Sequence, residues 1–217
     1  IGGVLAGIIL MTGLGIKMSE IILDVSNGIL IVALLLTMIV AVILGMGMPT
    51  ASAYIILAIL LAPGLEQMGV PLIAAHLFIV FCAAKSSITP PVAVSSYAAA
   101  AIAGSDPWRT SLVAFKLGIS GFIIPFMFVY SPELLGYGTW YAVTWALITA
   151  SCGVVMVSVA AIGWLNVPLH WYERMVAVAV ALLLMVSDWR TDLAGVVLMG
   201  ILLGSVWFRT SKAARQS

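Results

Sequence analysis

Two short interruptions of apolar sequence contain the residues of this chain that are best suited to binding a small ligand. The first is GMGMPT at residues 45 to 50, and the second is SSITPP at residues 86 to 91. A chain in lipid must satisfy every backbone N–H and C=O group internally, so breaks are tolerated only where the freed groups face protein, water or a ligand. The pair therefore indicates a binding site.

The first interruption can present backbone groups to a ligand. Gly45 and Gly47 have no Cβ and can adopt positive φ, so the chain can turn tightly there. Pro49 leaves no orphaned N–H, and Thr50 or Ser52 can cap the next helix while still offering a hydroxyl. The positive dipole end of that helix suits a carboxylate. The alternatives are an ordinary loop between two spans or a kink.

The second interruption favours a cation. Pro90 and Pro91 remove two backbone donors and push Thr89 out of the α region. We therefore expect the carbonyls around Ser86 and Ser87 to lose their helical partners, with three hydroxyls beside them. The residues around a sodium ion would be Gly45, Gly47, Ser86, Ser87 and Thr89. Half-helix ends that meet at the midplane form such sites in secondary transporters. The alternative is a proline kink repaired by neighbouring side chains.

A single lysine precedes the second interruption. Lys85 is the only charged residue between Glu66 and Asp106. An ionisable group inside a membrane is costly and is a functional candidate by default. Lys85 would balance an anionic substrate or carry a proton, unless its side chain extends to the membrane surface.

No catalytic motif accompanies these residues. The sequence contains no HExxH, CxxC, GxSxG or Walker-type glycine loop, which argues against hydrolytic or redox catalysis. Cys82 and Cys152 lie within apolar runs and imply no disulfide framework. We therefore expect a protein that is not an enzyme and has no cofactor.

Composition identifies an integral membrane protein. The chain is 64% hydrophobic and 8% charged, against about 25% charged residues in soluble domains, and its mean hydropathy is +1.24. A net charge of +1 without a basic cluster outside the tail excludes an electrostatic nucleic-acid binder. The chain starts at Ile1 without a charged n-region, so we interpret it as the C-terminal piece of a longer protein.

The elements that position the two breaks follow from the need for about 20 apolar residues per membrane helix. We predict an all-α fold with a re-entrant helical hairpin, a discontinuous transmembrane helix and further transmembrane helices. The second arm of the hairpin, before Pro63 and Gly64, is only about 18 Å long at 1.5 Å per residue, so we expect the chain to turn back at the first break. The predicted segments are 1–27 (end of a transmembrane helix and a connection with a short in-plane helix), 28–108 (a unit made of the hairpin at 28–62 and the discontinuous helix at 72–103), 109–135 (next transmembrane helix) and 136–217 (extension).

The extension is predicted to contain two to three transmembrane helices and a basic cytoplasmic tail. Its apolar segments are 139–163, 173–187 and 193–208, and a turn at 188–192 is expected to join the last two as an antiparallel pair. Arg209, Lys212 and Arg215 predict that the tail is cytoplasmic. Counting spans backward from that end predicts that the hairpin enters and leaves from the external face.

Both breaks resemble motifs of a known transporter family. LGMGMPT at 44–50 with AYI at 53–55, and ITPPVA at 88–93 with YAAA at 97–100, resemble the large membrane subunit of TRAP transporters. AGSDP at 103–107, RT at 109–110, PF at 125–126 and FVYSP at 128–132 are similar to the fused permeases that work with TAXI-type binding proteins. The resemblance covers about residues 1 to 135, and the remaining helices resemble the C-terminal extension of that fused group.

The resemblance implies the permease of a tripartite, ATP-independent importer of organic acids in the bacterial cytoplasmic (inner) membrane. A TAXI-type periplasmic protein would deliver the carboxylate substrate, and a Na⁺ or H⁺ gradient would drive an elevator movement. The transport domain of this ion-transporter-superfamily-like fold has two inverted halves. This chain is similar to the second half, so the remaining N-terminal part of the permease is an expected partner.

One residue departs from the family pattern. Many relatives have a small or apolar residue where this chain has Lys85. We therefore hypothesise that its ammonium replaces a cation, either by fixing the substrate carboxylate or by carrying the coupled proton. A different secondary transporter, or a channel-like pore for small anions, is the alternative to this function.

Overall fold

The computed structural model describes residues 2–186 and 188–214, without the side chains of residues 2, 5, 6 and 210–214. The described residues are almost entirely helical and divide into two compact units, one ending at Val129 and one beginning at Tyr130. Four helical stretches are long and apolar enough to cross a membrane: Thr50–Gln67, Pro107–Tyr130, Trp140–Ile162 and Trp189–Arg209. The predicted all-α membrane architecture is confirmed.

The first unit is built from helices whose ends coincide with glycine, proline or a polar residue. They are α1 (Gly2–Thr12), α2 (Leu14–Ser26), α3 (Leu30–Gly45), α4 (Thr50–Gln67), α5 (Leu72–Ser86), α6 (Val94–Ala103), α7 (Pro107–Leu117) and α8 (Ser120–Tyr130). Helices α3, α4 and α5 pack on one another, and Leu34, Leu57 and Phe78 are fully buried between them. Between helices in lipid, such contacts act through close van der Waals packing.

Helix α4 is longer than the sequence predicts, and the reason is its contact with α2. Pro63 and Gly64 lie inside the helix, which continues to Gln67. Proline 63 cannot donate to the Ile59 carbonyl; a Cβ on Gly15 of α2 would lie only 2.6 Å from that oxygen. Because Gly15 has no side chain and leaves room for the Ile59 carbonyl, α4 continues beyond Pro63. The argument that the second hairpin arm is too short to cross is therefore wrong, and the re-entrant course stays a prediction.

The transmembrane helix predicted within residues 109–135 is broken near its middle. Helix α7 ends at Leu117 and α8 begins at Ser120. The amides of Gly121 and Phe122 donate to the carbonyls three residues earlier, at 3.0 Å each, instead of four. A local tightening of this kind interrupts the regular α-helical ladder. The break has no proline, which is why the apolar sequence alone concealed it.

The predicted connection after residue 16 is a helix. Gly13, with φ 65°, separates α1 from α2. Ile22 is buried in this helix, whereas Ile16, Ile21 and Val25 are exposed. Helix α2 instead packs on α4 through its small residues, since Ser19 lies against Gly64.

In the described part of the second unit, three helices follow a 3-10 turn, Pro132–Leu135. They are α9 (Trp140–Ile162), α10 (Trp171–Leu183) and α11 (Trp189–Ala214), and two-residue strands β1 (Trp164–Leu165) and β2 (Val167–Pro168) pair antiparallel between α9 and α10. The predicted turn at 188–192 is wrong, because α11 already begins at Trp189. The expected packing of the last two helices is confirmed, with Leu184 lying against Gly195.

The basic end of the chain is only partly described. Helix α11 continues through Lys212, and Arg215 lies outside the described residues. Arg209 donates through Nη2 to Glu173 at 3.0 Å and to the Pro168 carbonyl at 3.2 Å. Glu173, which is 4% exposed, also accepts from the His170 amide at the start of α10. This ion pair joins the first turn of α10 to the C-terminal part of α11.

Candidate functional site

The two interruptions meet in the structure. A cavity of about 280 Å³ lies between them, and its lining residues are Gly47, Met48, Pro49, Thr50, Ser87, Val94 and Ser95. The first four come from the connection between α3 and α4 and the first residue of α4. The other three come from both sides of the α5–α6 break. Packing of the helix ends therefore brings together two breaks that are distant in sequence.

The first break is a short turn held by its own backbone. The Met46 amide donates to the Ile43 carbonyl and the Met48 amide donates to the Gly45 carbonyl, each at 3.3 Å. Gly47 has φ 79°, so the predicted left-handed turn is confirmed at this residue. The predicted cap is wrong: Pro49 occupies the N-cap position of α4 and provides no side-chain acceptor. Thr50 is thus free of a capping role and lines the cavity.

Gly45 has a different role from the one its flexibility suggested. It is the last residue of α3, it is buried, and its φ is not positive. A Cβ at this position would lie 2.9 Å from Oγ and 3.1 Å from Cβ of Ser86. Ser86 is 1% exposed and its hydroxyl donates to the Ala83 carbonyl at 2.6 Å. The absence of a side chain at Gly45 therefore lets the ends of α3 and α5 touch.

The second break is more fully hydrogen-bonded than expected. The Lys85 carbonyl accepts from the Ile88 amide at 3.2 Å and from the Thr89 hydroxyl at 2.7 Å. The Ser86 carbonyl accepts from the Thr89 amide at 3.3 Å. The Ser87 carbonyl accepts from the Ser95 amide at 3.0 Å, across the break. The predicted loss of the helical donors is confirmed for Ser86 and Ser87, whose i+4 residues are Pro90 and Pro91. The expectation that these carbonyls are thereby left free is wrong, because the chain after Ser86 re-forms bonds as a turn.

The prolines shape this turn without lining the cavity. The Pro90–Pro91 peptide bond is cis, and Ala93 has φ 30°. The Tyr97 hydroxyl donates to the Pro91 carbonyl. The Tyr54 hydroxyl, just after the first break, hydrogen-bonds to Nδ1 of His76 at 2.9 Å. Both tyrosines support the walls of the site.

Lys85 is not among the residues that line the cavity. Its side chain extends toward the interruption between α7 and α8. It is half-buried, and its Cε and Nζ atoms occupy the space where Gly121 of α8 would carry a Cβ. Phe78 contacts Phe126 with ring centroids 5.1 Å apart, so α5 and α8 run antiparallel along this face. Closer to the α7–α8 break, the Ile88 side chain occupies the space where Gly118 would carry a Cβ.

The depth of Lys85 follows from this contact. The Pro107–Tyr130 stretch is 24 residues long, and Gly121 lies roughly 4 Å from its midpoint at 1.5 Å per residue. The Lys85 side chain thus lies against the middle of this apolar stretch, and the alternative in which it extends to the membrane surface stays a prediction that this contact disfavours. Among the described residues, the only ion pair is between Arg209 and Glu173, so Lys85 has no carboxylate partner there. Its ammonium is a charge near mid-depth that lacks a counter-charge within the described chain.

The predicted site residues thus fall into three groups. Those that line the cavity are Gly47, Pro49, Thr50 and Ser87. Those that hold the helix ends around it are Gly45, Ser86, Thr89, Pro90 and Pro91. Those that lie elsewhere are Ser52, half-buried within α4, and Lys85.

Sequence reasoning missed three lining residues, Met48, Val94 and Ser95. Ser95 lies four residues after Pro91, and its local sequence does not show that it faces the first break. Helices α4 and α6 both begin at the cavity, so their first turns direct partial positive charge toward it. With two glycine or hydroxyl-bearing turns and two helix N-termini, the arrangement is suited to an anion of small size.

Comparison with known proteins identifies the family. The model of the family described as "Tripartite ATP-independent periplasmic transporter, DctM component" matches residues 2–143, which includes both breaks and the start of α9. No curated protein and no solved structure matched the chain. This family is a transporter component that works with a periplasmic binding protein and a small membrane subunit, and it is not an enzyme family. Because the match covers about two thirds of the chain, the protein belongs to the DctM family, the multi-pass membrane permeases of TRAP-type secondary transporters.

Proposed function

We propose that this permease imports organic acids across the bacterial inner membrane and that the cavity between the two breaks holds the substrate carboxylate. The observation that carries the proposal is the meeting of two helix N-termini at a cavity of about 280 Å³. Aligned N–H groups and the helix dipole favour an anion at such a position. The hydroxyls of Thr50 and Ser95 add donors for its oxygens. The Ser87 hydroxyl donates to the Ala84 carbonyl at 2.8 Å and would exchange that bond for one to the substrate.

The mechanism that fits this site is an elevator driven by a Na⁺ or H⁺ gradient. Helices α3 to α6 would move as part of a transport domain whose other half belongs to the remaining N-terminal part of the permease. A periplasmic binding protein of the TAXI type would deliver the substrate. A coupling sodium ion would use the free lone pairs of carbonyls near Gly45, Gly47, Ser86, Ser87 and Thr89, since a carbonyl oxygen that already accepts one hydrogen bond retains a second lone pair.

Lys85 is the residue of this half that would determine the coupling ion. An ammonium near mid-depth without a carboxylate partner supplies the positive charge that a bound cation would otherwise supply. Its contact with Gly121 connects this charge to the α7–α8 break. We propose that Lys85 acts from its position beside the α7–α8 break, as a cation substitute or as the carrier of the coupled proton.

Uptake by the full transporter in proteoliposomes tests the substrate site. With the binding protein in the external medium, Ser87→Ala and Ser95→Ala are expected to raise the KM for a labelled carboxylate about tenfold, a change of about 1.4 kcal/mol. Ser151→Ala is the matched control, because Ser151 is an exposed serine on α9 whose hydroxyl bonds to its own helix. Equal KM values in all three variants would reject the site. If uptake is not saturable and labelled substrate shows no counterflow, a channel is favoured instead.

Ion dependence tests the role of Lys85. Lys85→Ala is expected to abolish uptake or to make it depend on a different ion, and Lys85→Arg is expected to retain the charge without releasing a proton. Lys116→Ala, at an exposed lysine in the last turn of α7, is the control. Unchanged uptake and unchanged ion dependence in both Lys85 variants would reject the proposal for this residue.

A further inference from the structure

A buried carboxylate in the second unit has one oxygen without a partner. Asp192, in the first turn of α11, is 1% exposed. Its Oδ2 accepts a hydrogen bond from the indole Nε1 of Trp145 at 2.7 Å. Its Oδ1 is buried and has no hydrogen-bond partner among the described residues. A carboxylate oxygen in this state is costly unless a donor or a cation reaches it.

A second carboxylate converges on the same space. Glu133, in the 3-10 turn, also has a buried oxygen, Oε2, without a partner among the described residues. Both side chains line a cavity of about 120 Å³ together with Ala142, Trp145 and Trp189. No basic side chain is among these lining residues. Two carboxylates that share a small cavity repel each other, so the cavity is built for a positively charged group.

The character of the walls indicates which cation fits. Two of the five lining residues are tryptophans, and indole rings attract ammonium groups through their faces. The described residues contain no group of three or more His, Cys, Asp or Glu that could hold a metal ion. An ammonium can donate to both carboxylates while its carbon substituents contact the rings. The donor set therefore fits an organic amine.

An apolar groove begins at the same tryptophans. It has a volume of about 380 Å³, and its lining residues are Tyr141, Trp145, Trp189, Leu193, Val196 and Val197. Leu193 and Val197 are 64% and 54% exposed, as expected of a helix surface that faces lipid. Trp189 and Tyr141 stand at the first turns of α11 and α9, where amphipathic aromatic side chains favour the membrane interface. An amine with a hydrocarbon chain would occupy the cavity and the groove together.

The adjacent arginine completes the pattern. The Arg190 guanidinium lies 5.4 Å from the centroid of the Trp189 ring, and the side chain is exposed. Guanidinium groups bind phosphate oxygens through two parallel N–H donors. The two carboxylates, the aromatic walls, the apolar groove and the guanidinium lie side by side. We propose that together they bind an aminophospholipid of the surrounding bilayer, phosphatidylethanolamine.

In this complex the lipid ammonium donates to Asp192 Oδ1 and Glu133 Oε2. The phosphate pairs with Arg190, and an acyl chain lies along the groove over Leu193 and Val197. Asp192 and most of the groove lie after residue 143, beyond the part of the chain that the transporter family covers. The lipid site is thus a property of the extension and does not depend on the proposed substrate.

Lipid retention by the full purified permease tests this proposal. After delipidation, native mass spectrometry is expected to show that phosphatidylethanolamine binds at least tenfold more tightly than phosphatidylglycerol, which has the phosphate and chains but no amine. Free ethanolamine is expected not to compete at concentrations at which the lipid does, because it lacks the chain. Equal binding of both lipids, or full competition by ethanolamine, would overturn the assignment.

Three variants locate the site. Asp192→Asn keeps the acceptor for Trp145 and is expected to reduce the preference for phosphatidylethanolamine at least tenfold, as is Glu133→Gln. Asp188→Asn is the control, since Asp188 is an exposed aspartate one turn earlier. If Asp192→Asn fails to fold, Val197→Trp fills the groove away from the carboxylates and is expected to weaken binding of the same lipid. An unchanged preference in the folded variants contradicts the proposal.

Discussion

Substitution of Gly45 by alanine gives a direct test of how the two breaks are held together. The new Cβ would lie 2.9 Å from Oγ and 3.1 Å from Cβ of Ser86. Ser86 cannot move aside cheaply, because it is 1% exposed and its hydroxyl is held by the Ala83 carbonyl at 2.6 Å. The ends of α3 and α5 must therefore separate.

The magnitude follows from two opposing effects. An extra methyl group in a closely packed contact costs about 1–3 kcal/mol, and replacing a helical glycine by alanine regains at most about 1 kcal/mol. We expect Gly45→Ala to lower the free energy of unfolding by about 1–2 kcal/mol, which is a factor of about 5–30 in the folding equilibrium. Since the displaced turn lines the cavity, substrate uptake should fall more than the amount of folded protein.

A double-mutant cycle isolates the contact. Ser86→Ala removes the oxygen at 2.9 Å and leaves only the 3.1 Å contact with Cβ, so Gly45→Ala with Ser86→Ala should recover most of the lost stability. Equilibrium unfolding of the purified permease in mixed micelles and uptake by proteoliposomes measure both effects. Gly200→Ala is the control, since nothing lies within 4 Å of its new Cβ. A neutral Gly45→Ala variant, or a double mutant no more stable than Gly45→Ala, would refute the reasoning.

Three further substitutions have expected outcomes. Gly121→Ala displaces the Lys85 ammonium, so it should reduce uptake by at least tenfold while unfolding changes by less than about 1 kcal/mol, because only the end of a flexible side chain must move. Arg209→Met leaves the buried Glu173 carboxylate without its ion pair and should destabilise the second unit by about 3 kcal/mol in unfolding measurements. Asp106→Ala removes the N-cap of α7, whose side chain accepts from the Arg109 amide at 2.7 Å, and should cost about 1 kcal/mol in the same assay.

Each of these variants has a matched comparison. Arg190→Met changes an exposed arginine and should alter unfolding by less than about 1 kcal/mol. Thr139→Ala removes a longer cap bond of 3.4 Å and should cost less than Asp106→Ala. Lys85→Ala should reproduce the uptake defect of Gly121→Ala. The explanation for Arg209 fails if Arg209→Met and Arg190→Met change the free energy of unfolding equally. The explanation for Asp106 fails if Thr139→Ala costs as much as Asp106→Ala. The explanation for Gly121 fails if Gly121→Ala transports normally.

Local rules of sequence were sufficient for the helical character of the chain and for the two proline-containing breaks. Proline removes a donor and glycine permits positive φ wherever they occur, and both effects act within one turn of chain. The ends of α3 and α5 and the left-handed Gly47 could therefore be predicted. Pro63 shows the limit of these rules, since a helix continues through a proline when a neighbour such as Gly15 leaves space for the released carbonyl.

The candidate site could be predicted only in part, because a break also rebuilds its hydrogen bonds. The sequence indicated which carbonyls would lose their helical donors, but it could not show that the Ser95 amide would return to the Ser87 carbonyl. Ser95 was missed for the same reason. Which of the polar residues face one cavity depends on how the helix ends are turned toward each other.

The sequence by itself determined that this protein lies in a membrane, that it is helical, and that two of its apolar stretches are broken by glycine and proline. Those conclusions depend on the cost of unpaired backbone groups in lipid, which acts at every residue. Only the tertiary structure decided that the two breaks share a cavity, that Lys85 lies on Gly121, and that Glu133 and Asp192 converge beside Trp145. Such pairings depend on the packing of helices distant in sequence, where one absent Cβ decides whether two helices can touch.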